Sequence, residues 1–486
     1  MNNPNSPAIA AHKTDKRWLA MMVLCLGALM IVLDTTIVNV ALPSIREDLG
    51  FSEASLAWVV NAYMLTFGGF LLLGGRLGDL YGHRRLFIIG LAIFTGASLA
   101  CGLAGSQTFL VAARAIQGLG GAIVSAVALS LVTDLFVEPA ERAKAMGVYG
   151  FVCAGGGSIG VLLGGVLTHT LDWHWIFLVN IPIGVIVVGL SLMLLPDSRA
   201  PHAEPQLDIA GAITVTTSLL LAVYAIVNGN EQGWISLHTL GLLGLAVALL
   251  AIFIAIEARV RAPLMPLGLF KLRNLSTASV IGVLWAAAMF AWFFLSALYM
   301  QLVLGYSPLQ IGLAFLPANL IMAAFSLGWS AKLIMRFGIR PTLMAGMTLV
   351  AAGLALFARA PVDGSFMLDV LPSMVVLGCG CGIAFNPVLF AAMNDVSPTE
   401  SGLASGIVNT AFMMGGALGL AILASVASSR AGALIAAGQP QLTALTGGYH
   451  AAFLIGTIFA VTAVIAATFL RTGNAFAGNG AGSGGH

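Results

Sequence analysis

Apolar residues in this chain occur in long runs separated by short polar segments. Each run is close to the roughly twenty residues that a helix needs to cross a bilayer. Fourteen such runs, numbered here as spans 1–14, cover 18–42, 56–73, 86–103, 109–131, 146–167, 176–195, 209–227, 240–256, 277–303, 311–330, 342–358, 371–393, 403–426 and 451–470. The pattern predicts an all-α membrane protein that crosses the bilayer fourteen times.

The placement of lysine and arginine tests this prediction independently. With the N-terminus in the cytoplasm, 17 of the 21 basic residues fall on inner segments, three (Arg46, Arg359 and Arg430) fall outside, and Arg114 falls within span 4. Basic residues collect in cytoplasmic loops, and a missed span would scramble this bias. We therefore expect a multi-pass protein of the plasma (inner) membrane with both termini in the cytoplasm.

An internal repeat links the two halves of the chain. Aligning Gly82 in GGRLGDLYGHRR with Gly338 in SAKLIMRFGIRP places Arg84 on Arg340, at an offset of 256 residues. Spans 1 and 9 begin about as far apart, so spans 1–6 and 9–14 are predicted to be parallel repeats. Repeats of this kind are a design of transporters.

The repeat predicts five segments along the chain. Two six-helix halves flank a pair of inserted helices, and polar or Gly-rich tails at both ends are expected to be disordered. The segments are a cytoplasmic tail (1–16), the N-terminal half (17–196), the inserted helices with central cytoplasmic loops (197–275), the C-terminal half (276–471) and a second cytoplasmic tail (472–486).

Composition limits the classes of function. Apolar residues make up 59% of the 486 residues and charged residues only 8%, so the chain has little surface to offer water. A net charge of +2 gives no reason to expect a nucleic-acid partner. The five cysteines lie in apolar runs without histidines at zinc spacing, so we expect neither disulfides nor a metal site. GGRLGD lacks the Gly-Lys-Ser/Thr ending of a phosphate-binding loop, and we expect no cofactor.

Six motifs, in order along the chain, carry a resemblance to a known family. They are LDTTIVNVALP in span 1, GGRLGDLYGHRR after span 2, RAIQGLGG in span 4, WHWIFLVNIPIG leading into span 6, GYSPLQIGLAFLP in span 10 and SGLASGIVNT in span 13. Together they resemble the fourteen-span drug:proton antiporters of the major facilitator superfamily. The resemblance implies a major facilitator fold with two six-helix halves plus two inserted helices.

The chain departs from the family pattern in three places. Val161 stands where the family has a proline after a glycine of span 5. Met335 occupies the second-half position equivalent to Asp79, so that copy has lost its charge. Phe412 and the two methionines after it replace an Arg-Gln pair often found in span 13.

Asp34 is the only acidic residue well inside a predicted span. A charged side chain in hydrocarbon costs several kcal/mol, so Asp34 should face water or a partner. We predict a proton-coupling site at Asp34, with Arg114 as its partner and Gln117 one turn further along span 4. The alternatives are a structural carboxylate at Asp34 and an arginine that snorkels to the outer interface at position 114.

The segment after span 2 is predicted to be a short cytoplasmic gating loop. Its glycines permit a tight connection, and the family resemblance implies a latch in which Asp79 faces a helix N-terminus or Arg84. An ordinary solvated loop is the alternative. The residues assigned to this loop are Gly75, Gly78, Asp79, Gly82, Arg84 and Arg85.

Two further groups of residues are candidates for function. Glycines of span 5, at Gly156, Gly160, Gly164 and Gly165, form a small-residue stripe that serves helix packing or the family's antiport motif. Aromatic residues of span 9 either line a substrate cavity or face lipid, and lipid is the explanation we favour for most of them. The residues assigned to the cavity are Trp285, Phe290, Tyr299, Asn386 and Asn409.

These patterns lead to one functional hypothesis and its rivals. The resemblance implies a monomeric transporter whose partners are a small-molecule substrate, protons and the lipid bilayer. It would export lipophilic or monovalent cationic compounds by alternating access. The rivals are a dedicated exporter of one endogenous metabolite and an importer or uniporter on the same fold. An enzyme or receptor would need a catalytic constellation or a soluble domain, and the sequence has neither.

Overall fold

The computed structural model describes residues 7–136, 138–196, 208–260, 263–396 and 401–471. Regular structure in these ranges is helical throughout. The α-helices are α1 Pro7–Leu49, α2 Glu53–Leu56, α3 Trp58–Tyr81, α4 His83–Gly102, α5 Gln107–Leu135, α6 Pro139–Thr170, α7 Trp175–Leu178, α8 Asn180–Leu194, α9 Ile209–Gln232, α10 Leu237–Glu257, α11 Arg273–Leu298, α12 Pro308–Ala324, α13 Ser330–Phe337, α14 Ile339–Phe357, α15 Leu371–Met393, α16 Ser401–Ala436 and α17 Gln441–Ala467.

The predicted all-α membrane class is confirmed. Within the described ranges, 12 helices are long and apolar enough to cross a membrane. Two shorter apolar helices, Ile159–Thr170 at the end of α6 and Pro308–Ala324, correspond to spans 5 and 10. Every predicted span therefore overlaps a helix, while the count of fourteen crossings stays a prediction.

Helix α1 is longer than the first span. It runs for 43 residues, from Pro7 to Leu49, whereas the apolar pattern marks only 18–42. Extending an existing helix adds one hydrogen bond per residue without a new nucleation cost. The helix therefore begins at Pro7, within the segment predicted to be a tail, and the disorder of that tail stays a prediction. The remaining tail residues, 1–6 and 472–486, lie outside the described ranges.

The predicted gating loop is also mostly helical. Helix α3 continues to Tyr81 and α4 begins at His83, so Gly82 alone connects them. Gly82 has φ +93°, and its amide donates to the carbonyl of Gly78 over 2.9 Å. A side chain is strained in this conformation, which explains the glycine. The second copy of the repeat matches, because Gly338 has φ +85° and its amide donates to the carbonyl of Ile334.

The first of two compact units contains α1–α8. It covers Met1–Leu221, Leu243–Leu264 and Tyr306–Leu313, and so includes the beginning of α9 and most of α10. Its main packing pairs are α1 with α6, α3 with α5, and α4 with α5. The side chains of the predicted proton-coupling site all belong to this unit.

The second unit contains α11 and α13–α17. It covers Ala222–Leu242, Met265–Gly305 and Ala314–His486. Its main packing pairs are α11 with α16, and α14 with α15. Spans 9 and 13 thus pack as spans 1 and 5 do, and spans 11 and 12 as spans 3 and 4 do. The internal repeat of the sequence is therefore a repeat of helix packing within each unit.

Candidate functional site

Asp34 and Arg114 form a buried ion pair. A nitrogen of the Arg114 guanidinium (Nη1) donates to Asp34 Oδ2 over 2.5 Å. Asp34 is 0% exposed and Arg114 1% exposed. Arg114 therefore does not snorkel to the outer interface, and that alternative is wrong. The geometry joins α1 to α5 as the sequence analysis expected, because a charge in an apolar span needs a partner.

Gln117 completes the hydrogen bonding of the pair. Its amide nitrogen donates to Asp34 Oδ1 over 2.7 Å, and its amide oxygen accepts from Arg114 Nη1 over 2.6 Å. The amide nitrogen also donates to Ser98 Oγ over 2.8 Å, which links the group to α4. Gln117 lies one turn after Arg114, and this spacing puts both side chains on the same face of α5.

Arg114 is also fixed from the side of α3. Its Nε donates to the carbonyl of Val59 over 2.9 Å. The guanidinium carbon lies 4.5 Å from the centre of the Tyr63 ring and 5.6 Å from that of Phe177. A planar guanidinium suits this setting, because it can donate along its edge and stack on aromatic faces together. One arginine thus ties together α1, α3, α5 and α7.

Asn180 is a member of the network that sequence reasoning missed. Its amide nitrogen donates to Asp34 Oδ1 over 3.3 Å, and the residue is 1% exposed. Both carboxylate oxygens of Asp34 are therefore engaged. An amide within the apolar run LVNIP was the available signal, since polar side chains in spans usually have a partner. Ser98 and Tyr63 carried no comparable signal.

The glycine stripe of α6 lies against the part of α1 that carries Asp34. A Cβ on Gly156 would be 3.1 Å from Val32, and a Cβ on Gly164 would be 2.7 Å from the carbonyl of Ile37. A Cβ on Gly160 would collide with the Thr36 hydroxyl. Small residues let the two helices approach closely at these points. Gly165 points elsewhere, toward Pro308 at the beginning of α12 in the same unit.

The residues of the predicted gating loop are placed in part. Gly75 and Gly78 lie in the last turns of α3, and Arg85 is exposed in the first turn of α4. Arg84 donates to the carbonyl of Leu192 in α8 over 2.5 Å. The side chain of Asp79 lies outside the described part of the structure, so its predicted latch contact stays a prediction.

The aromatic residues of span 9 are packed inside the protein. Trp285 is 3% exposed and Trp292 1% exposed, so the prediction that most of these rings face lipid is wrong. An apolar pattern does not distinguish a lipid-facing surface from a protein-facing one, because both exclude water. Trp285 and Phe290 both contact the Phe412 ring edge-on, with centroids 5.3 and 5.9 Å away.

The other predicted cavity residues lie apart from these two rings. Tyr299 is 1% exposed, and its hydroxyl donates to the carbonyl of Pro361 over 2.7 Å. The Asn386 amide donates to the carbonyl of Ser326 over 2.6 Å, while Asn409 is exposed. The contacts thus place Trp285 and Phe290 in one aromatic cluster and do not bring Tyr299, Asn386 or Asn409 into it.

Comparison with known proteins assigns the chain to a family. The model of the Major Facilitator Superfamily matches residues 24–420. A solved structure of a bacterial homologue of the human lysosomal transporter Spinster, inward-facing and occupied, aligns with a TM-score of 0.66. That alignment covers 97% of each chain at 15% sequence identity, so it supports the fold alone.

Two curated relatives span nearly the whole chain. The puromycin resistance protein pur8 of Streptomyces alboniger is 38% identical over 95% of this chain and 93% of its own length. The cephamycin export protein CmcT of Amycolatopsis lactamdurans is 40% identical over 86% of each chain. The predicted resemblance is confirmed. The chain is a multi-pass membrane protein of the Major Facilitator Superfamily, whose members are transporters rather than enzymes.

Proposed function

We propose that this protein exports small lipophilic or monovalent cationic compounds across the plasma membrane in exchange for protons. The name of one curated relative, the cephamycin export protein CmcT, supports export. The sealed network around Asp34 is the observation that carries the proposal of proton coupling. It holds an ionisable carboxyl away from water, with a cation and two amides as its partners.

Protonation of Asp34 is the step that couples proton movement to transport. A proton that binds Asp34 Oδ2 takes the place of Arg114 Nη1 and removes the negative charge of the pair. Arg114 keeps its bonds to Val59 and Gln117 but loses its strongest, charge-assisted partner. The loosened network lets α1 and α5 move, and the transporter alternates its access. Release of the proton on the other side restores the ion pair and resets the cycle.

The test uses purified protein in lipid vesicles with a pH difference across the membrane. A fluorescent monovalent cationic dye is the probe, and Asp34→Asn is compared with the exposed control Asp363→Asn. Asparagine keeps the shape and most hydrogen bonds of Asp34 but does not titrate. The Asp34→Asn protein should bind the dye and fail to concentrate it, while the control concentrates it as the unsubstituted protein does. Concentration by Asp34→Asn would remove Asp34 from the coupling mechanism.

A second candidate function is dedicated export of one endogenous compound. The relatives favour it in one respect, because each is named for a single antibiotic. A panel of monovalent and divalent dyes in cells that lack their own pumps separates the two functions. Broad export of monovalent dyes supports multidrug efflux. If the cells export one natural product and none of the dyes, the protein is a dedicated exporter. If they export divalent dyes as well as monovalent ones, the proposed preference for monovalent cations is refuted.

We also propose that the protein works as a monomer with both termini in the cytoplasm. The bias of basic residues toward the predicted inner segments supports this orientation. One chain already contains both predicted six-helix halves, so a second copy is not needed to complete the repeat.

A further inference from the structure

A cavity of about 570 Å³ opens between three helices of the second unit. Residues at the end of α9, in α16 and in α17 line it, and none of them belongs to the Asp34 network. Its volume lies within the roughly 300–1,000 Å³ that is typical of sites for small molecules. The proposed transport mechanism gives this cavity no role.

Most of the cavity wall is apolar. The half-buried residues that line it are Ile226 of α9, Ile422 and Val426 of α16, and Ala451 of α17. Covering apolar surface of this kind with an apolar group removes it from water and is favourable. The wall therefore suits a hydrocarbon group.

The polar side chains of α9 and α16 at the cavity bind one another. The Asn230 amide nitrogen donates to the Ser425 carbonyl over 2.9 Å and to Ser425 Oγ over 3.0 Å. The Asn230 amide oxygen accepts from Trp234 Nε1 over 2.9 Å. Ser425 Oγ donates in turn to the carbonyl of Ile226 over 3.2 Å. These donors are thus used within the protein, where they hold α9 against α16.

Arg430 supplies the charge of the cavity. It lines the cavity together with Ser429, and both residues are exposed. Arg430 forms no salt bridge among the described residues, and the residues that line the cavity include no acid. Glu231, next to Asn230 in the chain, is exposed and does not line the cavity. A ligand with a negative group would therefore meet an unopposed guanidinium.

The cavity lies where apolar spans meet a polar segment. Ile226 and Val426 lie in the last turns of predicted spans 7 and 13, and Arg430 lies one turn beyond span 13. At this level the hydrocarbon core of a bilayer gives way to headgroups, and tryptophans such as Trp234 are enriched there. The head and the chains of a lipid molecule meet at the same level.

The chemistry of the cavity favours one class of occupant. Arg430 would repel the lipophilic cations proposed as substrates, and a soluble anion would leave the apolar wall uncovered. An amphipathic anion satisfies both the arginine and the wall, and a guanidinium matches a phosphate with two parallel hydrogen bonds.

We propose that the cavity binds an anionic phospholipid, with its phosphate at Arg430 and an acyl chain along Ile226, Ile422 and Ala451. The site rests on the walls formed by α9, α16 and α17. It would stand even if Asp34 did not couple transport.

Native mass spectrometry of the purified full-length protein tests the proposal by counting bound lipids. The probes are phosphatidylglycerol and phosphatidylcholine with identical acyl chains, and the unsubstituted protein should retain phosphatidylglycerol in preference. Arg430→Ala should lower the occupancy by phosphatidylglycerol about fivefold, as expected for one arginine near an anionic headgroup, and Arg430→Lys should keep most of it. Arg359→Ala is the matched control, because Arg359 is exposed on a predicted outer segment and does not line the cavity. It should bind as the unsubstituted protein does.

A second variant fills the cavity and leaves Arg430 in place. Ala433 lines the cavity and is exposed, so Ala433→Phe adds a ring there without disturbing a buried residue. It should lower the occupancy by phosphatidylglycerol. Ala352→Phe, at an exposed position of α14 that does not line the cavity, should leave the occupancy unchanged.

Other outcomes overturn the proposal. Equal retention of the two lipids, or equal retention of phosphatidylglycerol by Arg430→Ala and Arg359→Ala, shows that Arg430 binds no anionic headgroup. Unchanged occupancy in Ala433→Phe places the lipid elsewhere. Glycerol phosphate has no acyl chain, and its retention at the level of phosphatidylglycerol shows a site for soluble anions. A dimer that Ala433→Phe abolishes shows that a second copy covers this surface.

Discussion

Replacing Arg114 by alanine is the sharpest test of the energetics of the buried network. The substitution removes the donors to Asp34, Gln117 and the Val59 carbonyl at once. It also removes the cation above the Tyr63 ring. The carboxylate of Asp34 would remain buried, with only the amides of Gln117 and Asn180 as donors.

The expected loss of stability is about 3–5 kcal/mol, which is typical when one partner of a buried ion pair is removed. Most of this loss comes from the uncompensated charge and not from the ion pair itself. The double variant Asp34→Asn/Arg114→Ala contains no stranded charge. It should therefore be no less stable than the less stable single variant, because residues of one network are not additive.

Thermal unfolding can be followed with a dye that reacts with thiols. The protein has buried thiols that are not in disulfides, at Cys25, Cys101 and Cys381. These thiols should become reactive as the protein unfolds. Arg114→Ala should unfold several degrees below the unsubstituted protein, and the exposed control Arg359→Ala should match the unsubstituted protein. The reasoning fails if the two variants unfold at the same temperature, or if the double variant loses the sum of both single losses.

Three further predictions follow from the packing and the topology. Gly160→Ala should lower the free energy of unfolding by about 1–3 kcal/mol, because the added methyl group overpacks α6 against α1. Gly96→Ala is the control. It should not lower the midpoint of thermal unfolding, because nothing lies within 4 Å of its Cβ position. Asn180→Leu should destabilise by about 1 kcal/mol in the same assay, because it removes one donor to the carboxylate of Asp34; an unchanged midpoint would show that this bond contributes nothing. Ile235→Cys replaces an 88% exposed residue, and its thiol should react with a membrane-impermeant reagent on intact cells. The thiol of Pro263→Cys should not react. The reverse pattern would refute the fourteen-span topology.

The central ion pair was predictable because a charge in hydrocarbon is expensive. Asp34 and Arg114 stood out among apolar neighbours, and elementary electrostatics required a partner for each. Asn180 was missed because an amide in an apolar run is a weaker signal than a charge. The sequence could not show whether Phe290, Trp292 and the neighbouring aromatic residues pack against protein or face lipid, since both environments select the same apolar side chains.

Helix boundaries were predicted less well than helix positions. The apolar pattern marks the part of a helix that lies in lipid, whereas backbone hydrogen bonding continues into polar sequence. Helix α1 therefore begins before the first apolar run, and α3 continues to Tyr81 through a segment that looked like a loop. Only Gly82 behaves as a turn, and its positive φ is the part of the predicted tight connection that the structure shows.

The turns at Gly82 and Gly338 are two copies of the same structural feature, so they can be compared within one chain. The two copies have drifted apart at the position of Asp79, where the second carries Met335, yet both retain a glycine that ends one helix and starts the next. The two copies thus share the backbone conformation of the glycine turn but differ in the charge at the position of Asp79. A single-residue corner between two helices tolerates few substitutions, because glycine adopts a positive φ without the strain that a side chain would add. The glycine corner is therefore the feature that both copies share, whereas the acid beside it occurs in the first copy alone.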